Sequence, residues 1–175
     1  MPKPRFRVKQ LRSLGERITA TEVVAQTRVE NREPNQREHD YHGFVHYLWG
    51  IYGNPDAKAF GLFDRGKLVG ACAYMDMQDY ADEYASHAKL LRKALATSKN
   101  GKLKPSSKTA YLCALGILPE YRRQKLGVLL HGRTMRGIVE AKFKGILGEV
   151  MNPTWAQTLI THGGFTPIAH TIYQQ

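Results

Sequence analysis

The stretch from Tyr111 to Val128, YLCALGILPEYRRQKLGV, constrains this chain more than any other. It opens as an apolar run without alternation, the pattern of a strand buried on both faces. Pro119 stops the strand, a cationic knot follows at Arg122, Arg123, Gln124 and Lys125, and a helical pattern resumes at Leu126. A strand that feeds a helix through a tight basic turn is a device for holding phosphate. The first N–H groups of a helix lack intrahelical partners, and the helix dipole adds partial positive charge there. Gly127 puts no side chain in the way of a ligand. The predicted strand spans 110–118, with Gly116 suited to a bulge or a close backbone approach. The predicted helix runs from Gln124 to about Lys142, with Val128, Gly132, Met135 and Val139 as its core stripe and Ile138 beside them.

The rest of the chain supplies alternating elements. Phe6 to Gln10 reads as a short edge strand, 19–29 as a modest amphipathic helix and 30–38 as a polar, proline-broken loop. A stronger helix follows over 40–52, with Phe44, Tyr47, Leu48, Ile51 and Tyr52 on one stripe. Two strands, 59–63 and 67–74, flank Asp64-Arg65-Gly66, a hairpin turn. A helix over 76–97 begins with acids and ends with bases, and a basic loop covers 98–108. A strand around Ile146, Leu147 and Val150, a helix from Asn152 and a last strand at 168–173 complete the order.

The turn at 122–127 resembles the coenzyme A-binding core of the GNAT acetyltransferases, whose signature is Arg/Gln-x-x-Gly-x-Gly/Ala. Arg122 falls on its first position and Gly127 on its last, while Lys125 stands where the first glycine belongs. A second segment, NPTWAQTLITHGGF at 152–165, resembles the family's later Asn-x-x-x-Ala...Gly-Phe helix through Asn152, Ala156, Gly164 and Phe165. Together the two cover roughly residues 58–173. The resemblance implies an α/β (mixed α+β) fold, a central mixed sheet of about six strands flanked by helices. It implies one domain over 1–175, with a helical insertion or lid at about 76–108. The implied activity is N-acetyltransfer: direct attack of an amine on the thioester of acetyl-CoA, without a covalent enzyme intermediate. The implied cofactor-binding residues are Leu115, Ile117, Arg122, Arg123, Gln124, Lys125, Leu126, Gly127, Val128 and Asn152, with a bulge near 115–117 offering a backbone donor to the developing oxyanion.

The catalytic side chains are less clearly marked. Many relatives carry a Glu on the central strand, and this strand has none. Glu149 on the neighbouring strand is the first candidate for the base, against its reading as a plain strand-end carboxylate. His46 and His42 follow, since imidazoles titrate near neutrality. Relatives often place a Tyr seven residues after the Asn as the acid for the leaving thiolate. Leu159 occupies that position here, which leaves Tyr173 or Tyr111, each equally readable as packing. Cys113 sits in a buried run, where a thiol is inert.

Charge is the unusual part of the composition. Lys and Arg number 26 against 15 acids, a net +11 with pI near 9.8. Coenzyme A phosphates account for part of the excess. The remainder fits a solvated basic face or a polyanionic partner such as nucleic acid, so a GNAT scaffold that binds or modifies nucleic acid is one alternative. A catalytically degenerate GNAT scaffold with a structural role is another. No apolar run approaches the roughly 20 residues of a membrane span, and MPKPRFRVKQ lacks a secretory pattern. The expectation is a cytoplasmic protein with no membrane association, with Cys72 and Cys113 as free thiols. His39, His42 and His46 share a helix face but no carboxylate or cysteine completes a set, so no metal is expected. The short C-terminus leaves an edge through which copies could associate.

Overall fold

The computed structural model describes residues 5–30, 33–97, 108–150 and 152–167. Among the described residues five strands form one sheet in chain order: β1 (Phe6–Gln10), β2 (Lys58–Asp64), β3 (Lys67–Asp76), β4 (Thr109–Ile117) and β5 (Gly145–Gly148). The first three pairings are antiparallel and β4 pairs with β5 in parallel, which makes the sheet mixed, with β4 inside it. The expected strand at 168–173, Tyr173 within it, the C-terminal edge and most of the basic loop lie outside the described residues.

The hairpin joining β2 to β3 turns on Arg65 and Gly66, with φ 48° and 95°. Two successive positive φ values are what a two-residue turn needs to match the twist of its strands. β3 is buried from Leu68 to Met75, because helices cover both faces of the sheet.

Helix α1 (Leu14–Val29) begins earlier than its apolar pattern indicates, and the reason is a capping box. The Ser13 hydroxyl accepts from the Glu16 N–H, and the Glu16 carboxylate accepts from the N–H groups of Ser13 and Arg12. Helix α2 (Pro34–Tyr52) absorbs most of the stretch expected to be a loop. Pro34 stands in its first turn, where a missing N–H costs nothing, and its first residues are polar because that end faces water. The Arg17 guanidinium caps the other end, donating to the carbonyls of Tyr52 (2.8 Å), Asn54 (2.7 Å) and Ala57 (3.1 Å).

The helix expected over 76–97 is two helices, α3 (Met77–Glu83) and α4 (Ala85–Thr97), separated by Tyr84 at φ −123°, ψ 54°. Helix α5 (Leu126–Glu140) packs on the face opposite α1, and α6 (Pro153–Gly163) follows β5. The α5 core stripe differs from the expected one: Val128 and Val139 are 55% and 68% exposed. Ile138 is buried as expected, and Leu126, Leu130, Thr134 and Gly137 face the sheet with it. The helix carries two apolar faces, and periodicity alone chose the outer one. Gly137 decides the matter, because the Phe60 ring lies where its Cβ would be, and the Tyr74 hydroxyl donates to its carbonyl at 2.9 Å.

Candidate functional site

The site grows from an irregularity in β4. Ala71 stands opposite Gly116 and Ala73 opposite Cys113, so Ala114 and Leu115 together face the single Cys72. That is a bulge, and Ala114 at φ 43° is its strained residue. The buried Tyr52 hydroxyl fixes it by donating to the Ala114 carbonyl at 2.6 Å. Gly116, expected as a bulge or a close approach, serves the approach. A Cβ there would lie 2.6 Å from Thr27 Oγ1 and 3.3 Å from Val24 Cα on α1.

β5 stays with β4 only from Thr109–Gly145 to Leu112–Gly148. Beyond that pair the two strands separate, and the backbone from Cys113 to Ile117 has no β5 neighbour in the sheet. Leu115 and Ile117 lie along this wedge.

A single turn of 3-10 helix, Pro119–Tyr121, leads to the basic turn. Arg123 and Lys125 both adopt left-handed backbone, φ 61° and 59°. Among the described residues, the N–H groups of residues 123–127 have no hydrogen-bond partner, whereas those of Arg122, Val128 and Leu129 do. Consecutive unpartnered N–H groups at a helix start form an anion cradle. The Arg123, Gln124 and Lys125 side chains are exposed around it, Leu126 is buried below, and Val128 faces solvent. Arg122 is engaged elsewhere. Its Nε donates to the Ile117 carbonyl at 2.9 Å and its guanidinium pairs with Glu30, so it braces the turn rather than offering a free cation.

Helix α6 closes the far side. Asn152 caps it, accepting from the Trp155 N–H at 2.9 Å. Gly164, at φ 68°, ends it. A Cβ on Gly127 would sit 3.8 Å from Ile117 Cδ1 and 3.9 Å from the Trp155 ring, so residues 117, 127 and 155 line one wall. The Trp155 ring meets His131 edge-on at 5.5 Å. Burial lowers the His131 pKa, which keeps that ring neutral.

Glu149 lies immediately after the last paired residue of β5, at the vertex of the wedge. Its Oε2 is 3.0 Å from His87 Nε2, and His87 Nδ1 is hydrogen-bonded to the Tyr80 hydroxyl. Tyr80 stacks against Tyr111 of β4 (centroids 4.0 Å) and against Tyr84 (4.9 Å), and Tyr84 meets Tyr47 at 5.4 Å. Burial, followed by the Glu149 charge, pushes the Tyr111 hydroxyl well above its ordinary pKa. Burial likewise raises Cys72 to about 12 and Cys113 well up, so both thiols stay protonated. His46, the other candidate base, and His42 are exposed on α2, in no described contact with Glu149 or the bulge. Sequence reasoning missed His87 and Tyr80. Their signal was the spacing of Tyr80, Tyr84 and His87 within an acidic segment. Among the described residues, no helix is long and apolar enough to cross a membrane.

Comparison with known proteins agrees with this architecture. A family model described as the Acetyltransferase (GNAT) family matches residues 21–141. Similar solved structures include a GCN5-related N-acetyltransferase from Ralstonia eutropha JMP134, at TM-score 0.61 and 14% identity, covering 97% of this chain and 98% of that one. Aminoglycoside acetyltransferase AAC(6')-Iy, in complex with a CoA-S-monomethyl-acetylneamine bisubstrate analogue, aligns at TM-score 0.55 and 14% identity over 98% of both chains. The aminoglycoside acetyltransferase meta-AAC0020 from an uncultured soil metagenomic sample, in complex with sisomicin, aligns at TM-score 0.55 and 16% identity, covering 98% and 97%. No curated protein sequence matches the chain. At such identities these structures speak to the fold.

Proposed function

The chain belongs to the GNAT acetyltransferase family, and from that premise we propose that it acetylates a primary amine using acetyl-CoA held between β4, α5 and α6. It is an N-acetyltransferase by family; the acceptor and the residue roles are our reading. The observation that carries it is the run of unpartnered N–H groups at 123–127, set at the mouth of the wedge where β4 leaves β5. Those N–H groups suit a pyrophosphate, with Arg123 and Lys125 adding attraction and Leu115, Ile117, Gly127, Val128 and Asn152 framing the cleft. Acetyl-CoA supplies an activated acyl carbon.

The chain's residues then have three tasks. The bulged backbone beside Ala114 and Leu115 offers donors toward a developing oxyanion. Glu149, at the vertex, takes the proton of the acceptor ammonium. The α3–α4 segment, within the insertion expected at 76–108, forms the acceptor side of a single domain over 1–175. Aminoglycosides, the ligands of two of the similar structures, are the first acceptors to try. The alternative, a GNAT scaffold that holds nucleic acid, rests on the +11 charge, the basic stretch 98–108 and the Arg residues of the sequence, and salt-dependent gel shifts test it.

Calorimetric titration with acetyl-CoA, followed by thiol release with a panel of amines, tests the reading. The parent binds, and Gly127→Val weakens binding at least tenfold, because γ-methyl groups there enter the wall shared with Ile117 and Trp155. A parent that neither binds acetyl-CoA nor releases thiol refutes the proposal.

A further inference from the structure

The acceptor half of the site draws on residues that the sequence pattern left aside. His87 stands in the first turn of α4, with Nε2 3.0 Å from Glu149 Oε2 and 3.1 Å from Oε1. Its Nδ1 meets the Tyr80 hydroxyl. A neutral imidazole has one donor nitrogen and one acceptor nitrogen, while an ionised carboxylate only accepts. Facing a carboxylate, Nε2 carries a proton in either charge state of the ring and donates to Glu149, and in the neutral ring Nδ1 then accepts from Tyr80. Burial pushes the Tyr80 pKa well up, so its hydroxyl keeps its proton. The ring is also flanked by Tyr111 of β4 at 6.5 Å, and through Tyr80 by Tyr84 and by Tyr47 of α2. Every one of these neighbours is a phenol.

We infer that His87 is the positioning residue for Glu149: its Nε2–H fixes the carboxylate at the vertex of the wedge, and the Tyr80 hydroxyl fixes the imidazole in turn. The inference rests on the reading of Glu149 as the base. One proton passes from the acceptor ammonium to the Glu149 carboxylate. The freed nitrogen lone pair forms the C–N bond to the acetyl carbon as the C–S bond breaks, and the second nitrogen proton ends on the departing sulfur. A misplacement of about 1 Å can cost on the order of a hundredfold in rate, so a base at a strand end gains from a fixed orientation. The α3–α4 segment is then part of the machinery.

The test pairs a spectroscopic and a kinetic readout on the full chain. Nitrogen-15 NMR of the His87 imidazole is expected to show a protonated Nε2 and an unprotonated Nδ1, with this fixed tautomer lost in Tyr80→Phe and in Glu149→Ala. Thiol release is followed with acetyl-CoA and sisomicin, neamine or spermidine. His87→Ala lowers kcat on the order of a hundredfold and leaves KM for acetyl-CoA unchanged. His87→Gln, whose amide nitrogen reaches the place of Nε2, recovers most of the loss and guards against a folding artefact. A mixed tautomer in the parent, or parent-like kcat in His87→Ala while the parent transfers acetyl groups, overturns this inference and leaves the acetyltransferase reading standing. A parent that neither binds acetyl-CoA nor releases thiol with any of the three amines overturns both.

Discussion

Replacing Lys125 by glycine is expected to stabilise the protein. Lys125 is the N-cap of α5 and sits at φ 59°, ψ 12°. A residue with a Cβ costs about 1–2 kcal/mol in that left-handed region. Glycine removes the cost but loses more backbone entropy on folding, about 0.4–1 kcal/mol. The net gain is about 0.5–1 kcal/mol. For a chain of 175 residues, 1 kcal/mol corresponds to about 2–4 °C in Tm. Thermal unfolding followed by circular dichroism is expected to place Lys125→Gly about 1–4 °C above the parent. Lys125→Ala is the control, since it loses the same charge but keeps a Cβ, and no gain is expected. The cradle's N–H groups survive both changes. Affinity for acetyl-CoA should therefore fall only by the share of one exposed ammonium, about 0.2–1 kcal/mol or less than roughly fivefold. Equal melting of the alanine and glycine variants would refute the strain argument and make charge the cause.

Two further outcomes follow from the packing and the caps. Gly116→Ala places a Cβ 2.6 Å from Thr27 Oγ1 and 3.3 Å from Val24 Cα, so α1 must retreat from β4. A loss of about 1–3 kcal/mol is expected, read as a lower urea midpoint at unchanged m. In the α1 capping box, the Lys9 ammonium, followed by the Arg12 N–H, holds Glu16 at about 2, below the ordinary 4.5. A carboxyl lowered in the folded state contributes stability above its unfolded value and loses it as pH falls through the folded one. The parent is therefore expected to lose about 1 kcal/mol more than Glu16→Gln between pH 4.5 and 2, a figure reduced for solvent screening at this partly exposed site. Urea unfolding at both pH values measures it, and equal losses would remove the box from the acid response.

The strand, turn and helix start around residues 110–128 were legible because their determinants are local. A strand, a basic turn and a helix start are adjacent in sequence, and the backbone N–H groups that matter belong to every residue type. Lys125 shows the same point from the other side, since it departs from the glycine pattern yet holds the backbone of a glycine. The bracing role of Arg122 was not legible, because its partner, Glu30, is distant in the chain and unmarked by any pattern. The α5 stripe failed where periodicity was ambiguous: Val128 and Val139 are as apolar as Leu130 and Ile138, and only Phe60 and Tyr74 across the sheet decide between them. His87 escaped notice for a similar reason, since its meaning depends on Glu149, brought to it by the parallel pairing of β4 with β5.

The hydrogen bond from Tyr52 to Ala114 joins residues 62 apart in the chain. Closing a long loop must precede any such contact, and non-local pairings dominate the slow part of folding. Helices α1 and α2 and the β2–β3 hairpin are made of nearer neighbours and can form while β4 is still loose. The bulge is therefore expected to be among the last parts of the sheet to take shape on refolding, after the helices and the hairpin that nearer neighbours hold.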